Sequence, residues 1–140
     1  MSVAFPVVSW ADGSNIYEVN IRQYTPEGTI NAFVKHLPRL KDMGVEILWL
    51  MPVTPISIAQ RQGSWGSYYA ASSYVDVDPL YGTTNDFENF VAKAHEIGMK
   101  VIIDWVYNHT GYDHQWTTQH PEFHHTAERG NFTGLHGGID

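Results

Sequence analysis

Two stretches of this chain align with each other 54 positions apart. Lys41-Asp42-Met43-Gly44-Val45-Glu46-Ile47-Leu48 matches His95-Glu96-Ile97-Gly98-Met99-Lys100-Val101-Ile102. Each reads as the end of a helix, a glycine suited to a left-handed turn, and the opening of a buried strand. A unit used twice at that spacing is a βα unit, not a short solenoid motif. With a strand-like run ahead of it the order becomes β-α-β-α-β. Mostly buried strands in that order lie parallel and are joined by right-handed crossovers.

The three strand-like runs are Ile16 to Gln23, Val45 to Val53 and Lys100 to Tyr107. Between the first two, Ile30, Phe33, Val34, Leu37 and Leu40 fall at helical spacing behind the N-cap candidate Thr29, and Pro38 predicts a kink near Leu37. Phe87, Phe90, Val91, Ala94 and Ile97 repeat the helical pattern behind Thr83 and Thr84. The αβ turns are short, on Gly44 and Gly98. The βα loops are long, roughly Pro52 to Gly82 and from Asn108 onward. Long loops over short turns are the layout of a functional face at the strands' C-terminal ends. A doubly wound sheet and a (β/α)8 barrel both fit. No G-x-G-x-x-G follows the first run, which speaks against a dinucleotide site.

The chain has 140 residues, 43% of them apolar, enough for one domain's core. A net charge of -7 argues against nucleic acid and anionic membrane surfaces. There is no cysteine and no apolar run long enough to span a bilayer. The start has no basic segment or long apolar segment of a signal peptide. A cytoplasmic product is expected if Met1 is the native start; otherwise this is a piece whose targeting segment lies elsewhere. Aromatics are 14% of the chain. Trp65, Tyr68, Tyr69, Tyr74, Tyr81, Tyr112 and Trp116 fall in loop-like stretches. There they either bind amphipathic ligands or cover the loops' own small cores.

Residues 101 to 111 read Val-Ile-Ile-Asp-Trp-Val-Tyr-Asn-His-Thr-Gly. An apolar run ends in Asp104, Tyr107, Asn108 and His109, where α/β folds place ligands and catalytic groups. From spacing alone, Asn108 and His109 read equally well as residues that satisfy loop backbone groups. The strand carboxylates are Glu18, Glu46 and Asp104. Glu46 begins its strand, at the wrong end of the sheet, and Glu18 is expected to pair with Arg22 or Lys100. Six of the eight histidines lie between His109 and His136. His120 and His124 have the i, i+4 spacing of zinc ligands, but Pro121 interrupts them and no H-E-x-x-H is present. A solvated aromatic loop is the expectation there. His36 and His95 are expected on helices as surface or packing residues.

Three segments carry a family resemblance. Ile16-Tyr17-Glu18-Val19-Asn20 resembles the opening strand of the α-amylase family, glycoside hydrolase family 13. Tyr68 to Thr83 resembles its Gly-Tyr-x-x-x-Asp-Tyr-x-x-(Asn/Asp)-Pro-x-(Tyr/Phe)-Gly-Thr stretch. Asp104-Trp105-Val106-Tyr107-Asn108-His109 resembles its Asp-x-Val-x-Asn-His signature. Ala70 and Ser73 stand where aspartates are frequent, so the tyrosine ring lacks that polar support. Trp105 replaces a commoner small aliphatic.

The resemblance implies an α/β chain comprising the first three βα units of a TIM (β/α)8 barrel plus the start of the protruding loop domain after strand 3. The divisions are 1–14 as lead-in, 15–107 as barrel units and 108–140 as the start of the loop domain. It implies a retaining enzyme acting on an α-glucan or maltooligosaccharide. His109 would hold the sugar at the cleavage subsite, Tyr69 would stack on it, and Asp104 would order the site from the rim. Asn108 would bind a structural calcium ion. The nucleophile and acid/base would lie beyond Asp140, so this chain alone is expected to be inactive and, with open strand edges, to self-associate. The alternatives are a non-catalytic carbohydrate- or partner-binding fragment and an open α/β domain with a small-molecule site.

Overall fold

A computed structural model describes residues 8–124. Three parallel strands form one sheet in the order β1-β2-β3: β1 is Ile16–Val19, β2 is Ile47–Leu50 and β3 is Lys100–Ile103. Ile16 pairs with Ile47 and Ile47 with Lys100, so the three strands start level. Each strand is shorter than its apolar run. The first run stops at Val19 because Ile21–Tyr24 turns into a one-turn helix, α1, with Asn20 at its N-cap. Ile21 enters the core from this helical turn, 3% exposed.

The first predicted helix is two helices, α2 over Ile30–Val34 and α3 over Leu37–Asp42. Thr29 caps α2 by accepting from the Ala32 amide at 3.2 Å. Pro38 has no N–H to extend that ladder and sits in the first turn of α3, where none is needed. His36 is the N-cap of α3, its ring edge-on to Tyr24. The second predicted helix is α4, Thr84–Glu96, opened by a reciprocal cap. Thr83 accepts from the Asp86 amide while the Asp86 carboxylate accepts from the Thr83 amide.

The internal repeat is a repeat of hydrogen bonds as well as of letters. Gly44 (φ +86°) and Gly98 (φ +77°) both take the left-handed conformation. The Val45 amide then donates to the Leu40 carbonyl at 3.0 Å, and the Met99 amide to the Ala94 carbonyl at 2.9 Å. Both are six-to-one closures that end a helix and aim the chain into a strand. Residues 51–83 form the long connection from β2 to α4. Past β3 lie a short helix α5, Trp116–Gln119, and a 3-10 turn over Pro121–Phe123.

Val19, Leu48 and Leu50 bury one sheet face under Phe33, Leu37 and Leu40 of α2–α3 and Phe90 and Ala94 of α4. Tyr81, read from sequence as a loop aromatic, belongs to this core, and burial pushes its hydroxyl pKa up to about 12. β2 is central, so Leu48 and Leu50 are fully covered and the exposed strand apolars are Ile16, Ile102 and Ile103. Among the described residues no helix is long and apolar enough to cross a membrane.

Candidate sugar-binding site

The loop after β2 folds back over the end of β3 and brings three predicted residues together. The Tyr69 hydroxyl donates to Asp104 Oδ2 at 3.0 Å. The same residue's carbonyl lies 3.1 Å from His109 Nε2. A carbonyl only accepts, so His109 carries a hydrogen on Nε2 and leaves Nδ1 as its other polar atom. Burial, the bond to Asp104, and the Asp104 and Glu18 charges all push the Tyr69 pKa up, keeping it a protonated donor. Asp104 thus supplies the polar support that Ala70 and Ser73 lack. Ser73 instead bonds Asp76, two residues before the buried Asp78.

Glu18 departs from expectation. Among the described residues it forms no ion pair with Arg22 or Lys100; the pair present is His120 with Glu122. Register explains this. Glu18 lies level with Trp49 and Ile102, whereas Lys100 lies level with Ile16, at the other end of the sheet. The Arg22 guanidinium sits 4.1 Å over the Tyr68 ring and 5.3 Å from that of Trp65. Val19 and Leu50 alternate into the core, so Glu18 and Trp49 face the opposite, open side, where Asp104 follows Ile102 at the same parity. Glu18 therefore shares a face with the Tyr69–Asp104 pair. The alternation with Val19 is the signal that would have placed it.

Two further contacts tie the loop after β2 to the loop after β3. The Gly111 amide donates to the Ala71 carbonyl at 2.7 Å. Asp113 Oδ2 accepts from the Ile58 and Ala59 amides at 2.8 and 3.0 Å. Asn108 is exposed. It offers one oxygen where calcium takes roughly 6–8, and among the described residues no three His, Asp or Glu converge. His120 and His124 do not share a helix: α5 ends at Gln119, and His120 bonds Glu122 and stacks on Phe123. His125 and His136 lie outside the described residues.

The α-amylase catalytic-domain profile matches residues 8–136. The chain belongs to the α-amylase family. It is 36% identical over 112 residues to α-amylase 3 of Dictyoglomus thermophilum, covering 76% of this chain and 21% of that protein. It superposes on an α-amylase from Lactobacillus plantarum with a TM-score of 0.79 at 43% identity, covering 81% of this chain and 27% of that one. A maltogenic α-amylase from Thermotoga neapolitana gives 0.81 at 40% identity, covering 84% and 29%. The chain thus spans under a third of the relatives it matches. Its three parallel strands and covering helices are part of an α-amylase (β/α)8 barrel, and the strand-end cluster lies on that barrel's loop face.

Proposed function

We propose that this chain is the sugar-gripping part of a retaining α-glucan-acting glycoside hydrolase. The observation that carries the reading is the Tyr69–Asp104–His109 cluster. A phenol ring held by its hydroxyl offers a flat face to a glucosyl ring, while Asp104 and His109 Nδ1 offer polar atoms at its edge. Asp104 accepts from Tyr69, which suits it to ordering the site more than to attacking a sugar. Retaining hydrolysis needs two carboxyls about 5–5.5 Å apart across the bond. By the family's pattern these come from strands other than β1 to β3. Titrating maltooligosaccharides into the chain by calorimetry should give binding without release of reducing ends. His109→Ala should weaken that binding by about 0.5–1.5 kcal/mol, the worth of one neutral hydrogen bond. Unchanged affinity would make His109 purely structural, and sustained cleavage would place a carboxylate pair within these residues.

We also infer that the isolated chain self-associates. β1 and β3 each pair on one side only among the described residues, and Ile16 is 57%, Ile103 38% and Trp105 50% exposed. Open edges beside exposed apolar side chains recruit further chains. Size-exclusion chromatography with light scattering should give a mass above 15.9 kDa. A monomer at all concentrations would refute it.

A further inference from the structure

Tyr74 meets the cluster through the backbone of His109. Its hydroxyl donates to the backbone carbonyl of His109. Its ring packs against Trp105 at 5.2 Å, His114 at 5.1 Å and Trp116 at 5.5 Å between centroids. All three partners come from the chain after β3, whereas Tyr74 comes from the loop after β2. His114 is 1% exposed, and its Nδ1 accepts from the Trp116 amide at 3.1 Å. That bond needs a lone pair on Nδ1, so the ring is neutral with its hydrogen on Nε2. Burial, with the neighbouring His124, holds its pKa below the usual value against a weaker opposing pull from Asp113. His114 is thus a buried, uncharged backing for the Tyr74 ring, while Tyr74 and Trp116 are half-buried and Trp105 is exposed.

His109 is consequently gripped twice by one loop. Its ring nitrogen meets the Tyr69 carbonyl, and its own carbonyl meets the Tyr74 hydroxyl. The two loops stay joined without Tyr74, through Gly111 with Ala71 and Asp113 with residues 58 and 59. Loss of the Tyr74 hydroxyl would therefore free His109 locally while the loop stays docked.

We propose that Tyr74 is a positioning residue for His109. Its hydroxyl, fixed in place by the stack on His114 and Trp116, sets the His109 peptide and so keeps the imidazole on the Tyr69 carbonyl. Nδ1 is then the ring atom presented to a sugar hydroxyl. That last step rests on the sugar-binding reading above; the positioning itself does not.

The test is Tyr74→Phe in the 140-residue chain, which removes one oxygen and keeps the ring stack. With isotope-labelled histidine, NMR above neutral pH should show wild-type His109 locked with hydrogen on Nε2. In Tyr74→Phe the His109 nitrogen shifts should move to the averaged values of a free imidazole, while those of His114 stay in place. Maltotetraose affinity should fall about 3- to 10-fold, as for one lost hydrogen bond. A His109 tautomer pattern unchanged in the variant overturns the proposal. If the wild type binds no maltotetraose, the sugar-binding reading fails, and the tautomer shifts still decide the role of Tyr74. If Tyr74→Phe does not fold, the wild type decides it. Exchange into D2O should shift the His109 carbonyl carbon through the Tyr74 hydroxyl bond, and no shift means there is no such bond.

Discussion

Phe33→Ala is expected to cost about 3–5 kcal/mol of folding stability, the range for deleting a buried aromatic ring. Phe33 is fully buried where three helices meet the sheet. Its ring lies 4.7 Å edge-on from Tyr24 of α1 and 5.7 Å from Phe90 of α4. The rings of Tyr24 and Phe90 beside it give a water in the gap that alanine would leave little to bond. α2 has five residues, too few to hold together without tertiary packing, and this ring is its main anchor. Urea unfolding at one fixed protein concentration measures the effect, since association makes apparent stability concentration-dependent. Phe33→Leu should lose much less, because it keeps most of the volume. A Phe33→Ala loss below about 1 kcal/mol would mean that α2 does not pack on the sheet as described.

The readable parts of this chain were those decided by neighbours in sequence. Gly44 and Gly98 announced their turns because a positive φ strains any residue with a Cβ. Thr83 announced α4 because a cap is a contact across three residues. The parts that escaped were decided across space. α1 was hidden in an apolar run that seemed to continue β1, and its helical turn shows only once Ile21 has a core to enter. Glu18 looked like half of an ion pair because Arg22 is one turn away on the chain. In three dimensions Arg22 belongs to the rings of Tyr68 and Trp65. Tyr69, Asp104 and His109 were named through their motifs, yet the bonds joining them span 35 and 40 residues. No local pattern encodes such bonds. The ring stack behind Tyr74 escaped for the same reason.

Gly111→Ala should disorganise the site without touching any residue in it. A Cβ at Gly111 would fall 2.2 Å from Ser57 Cβ, 2.7 Å from Ser57 Oγ and 3.1 Å from the Ala70 carbonyl oxygen. None of these can retreat cheaply. Ser57 is buried, and its amide is tied to that same Ala70 carbonyl at 2.7 Å. Gly111 is itself tied to Ala71 at 2.7 Å, so relief requires the loops after β2 and β3 to part. Overpacking of a well-packed site costs about 1–3 kcal/mol, occasionally more, and a clash against anchored backbone belongs at the upper end. Gly111 lies two residues after His109, so parting the loops draws His109 off the Tyr69 carbonyl. The expected result is a lower unfolding midpoint, faster amide exchange at Gly111, and loss of the His109 tautomer preference together with maltooligosaccharide binding. Ser57→Gly removes the nearest obstacle, so in a double-mutant cycle it should recover part of the loss. Wild-type stability and binding in Gly111→Ala would show that the two loops do not approach this closely. Equal losses with and without Ser57→Gly would place the clash on the Ala70 carbonyl instead of the serine.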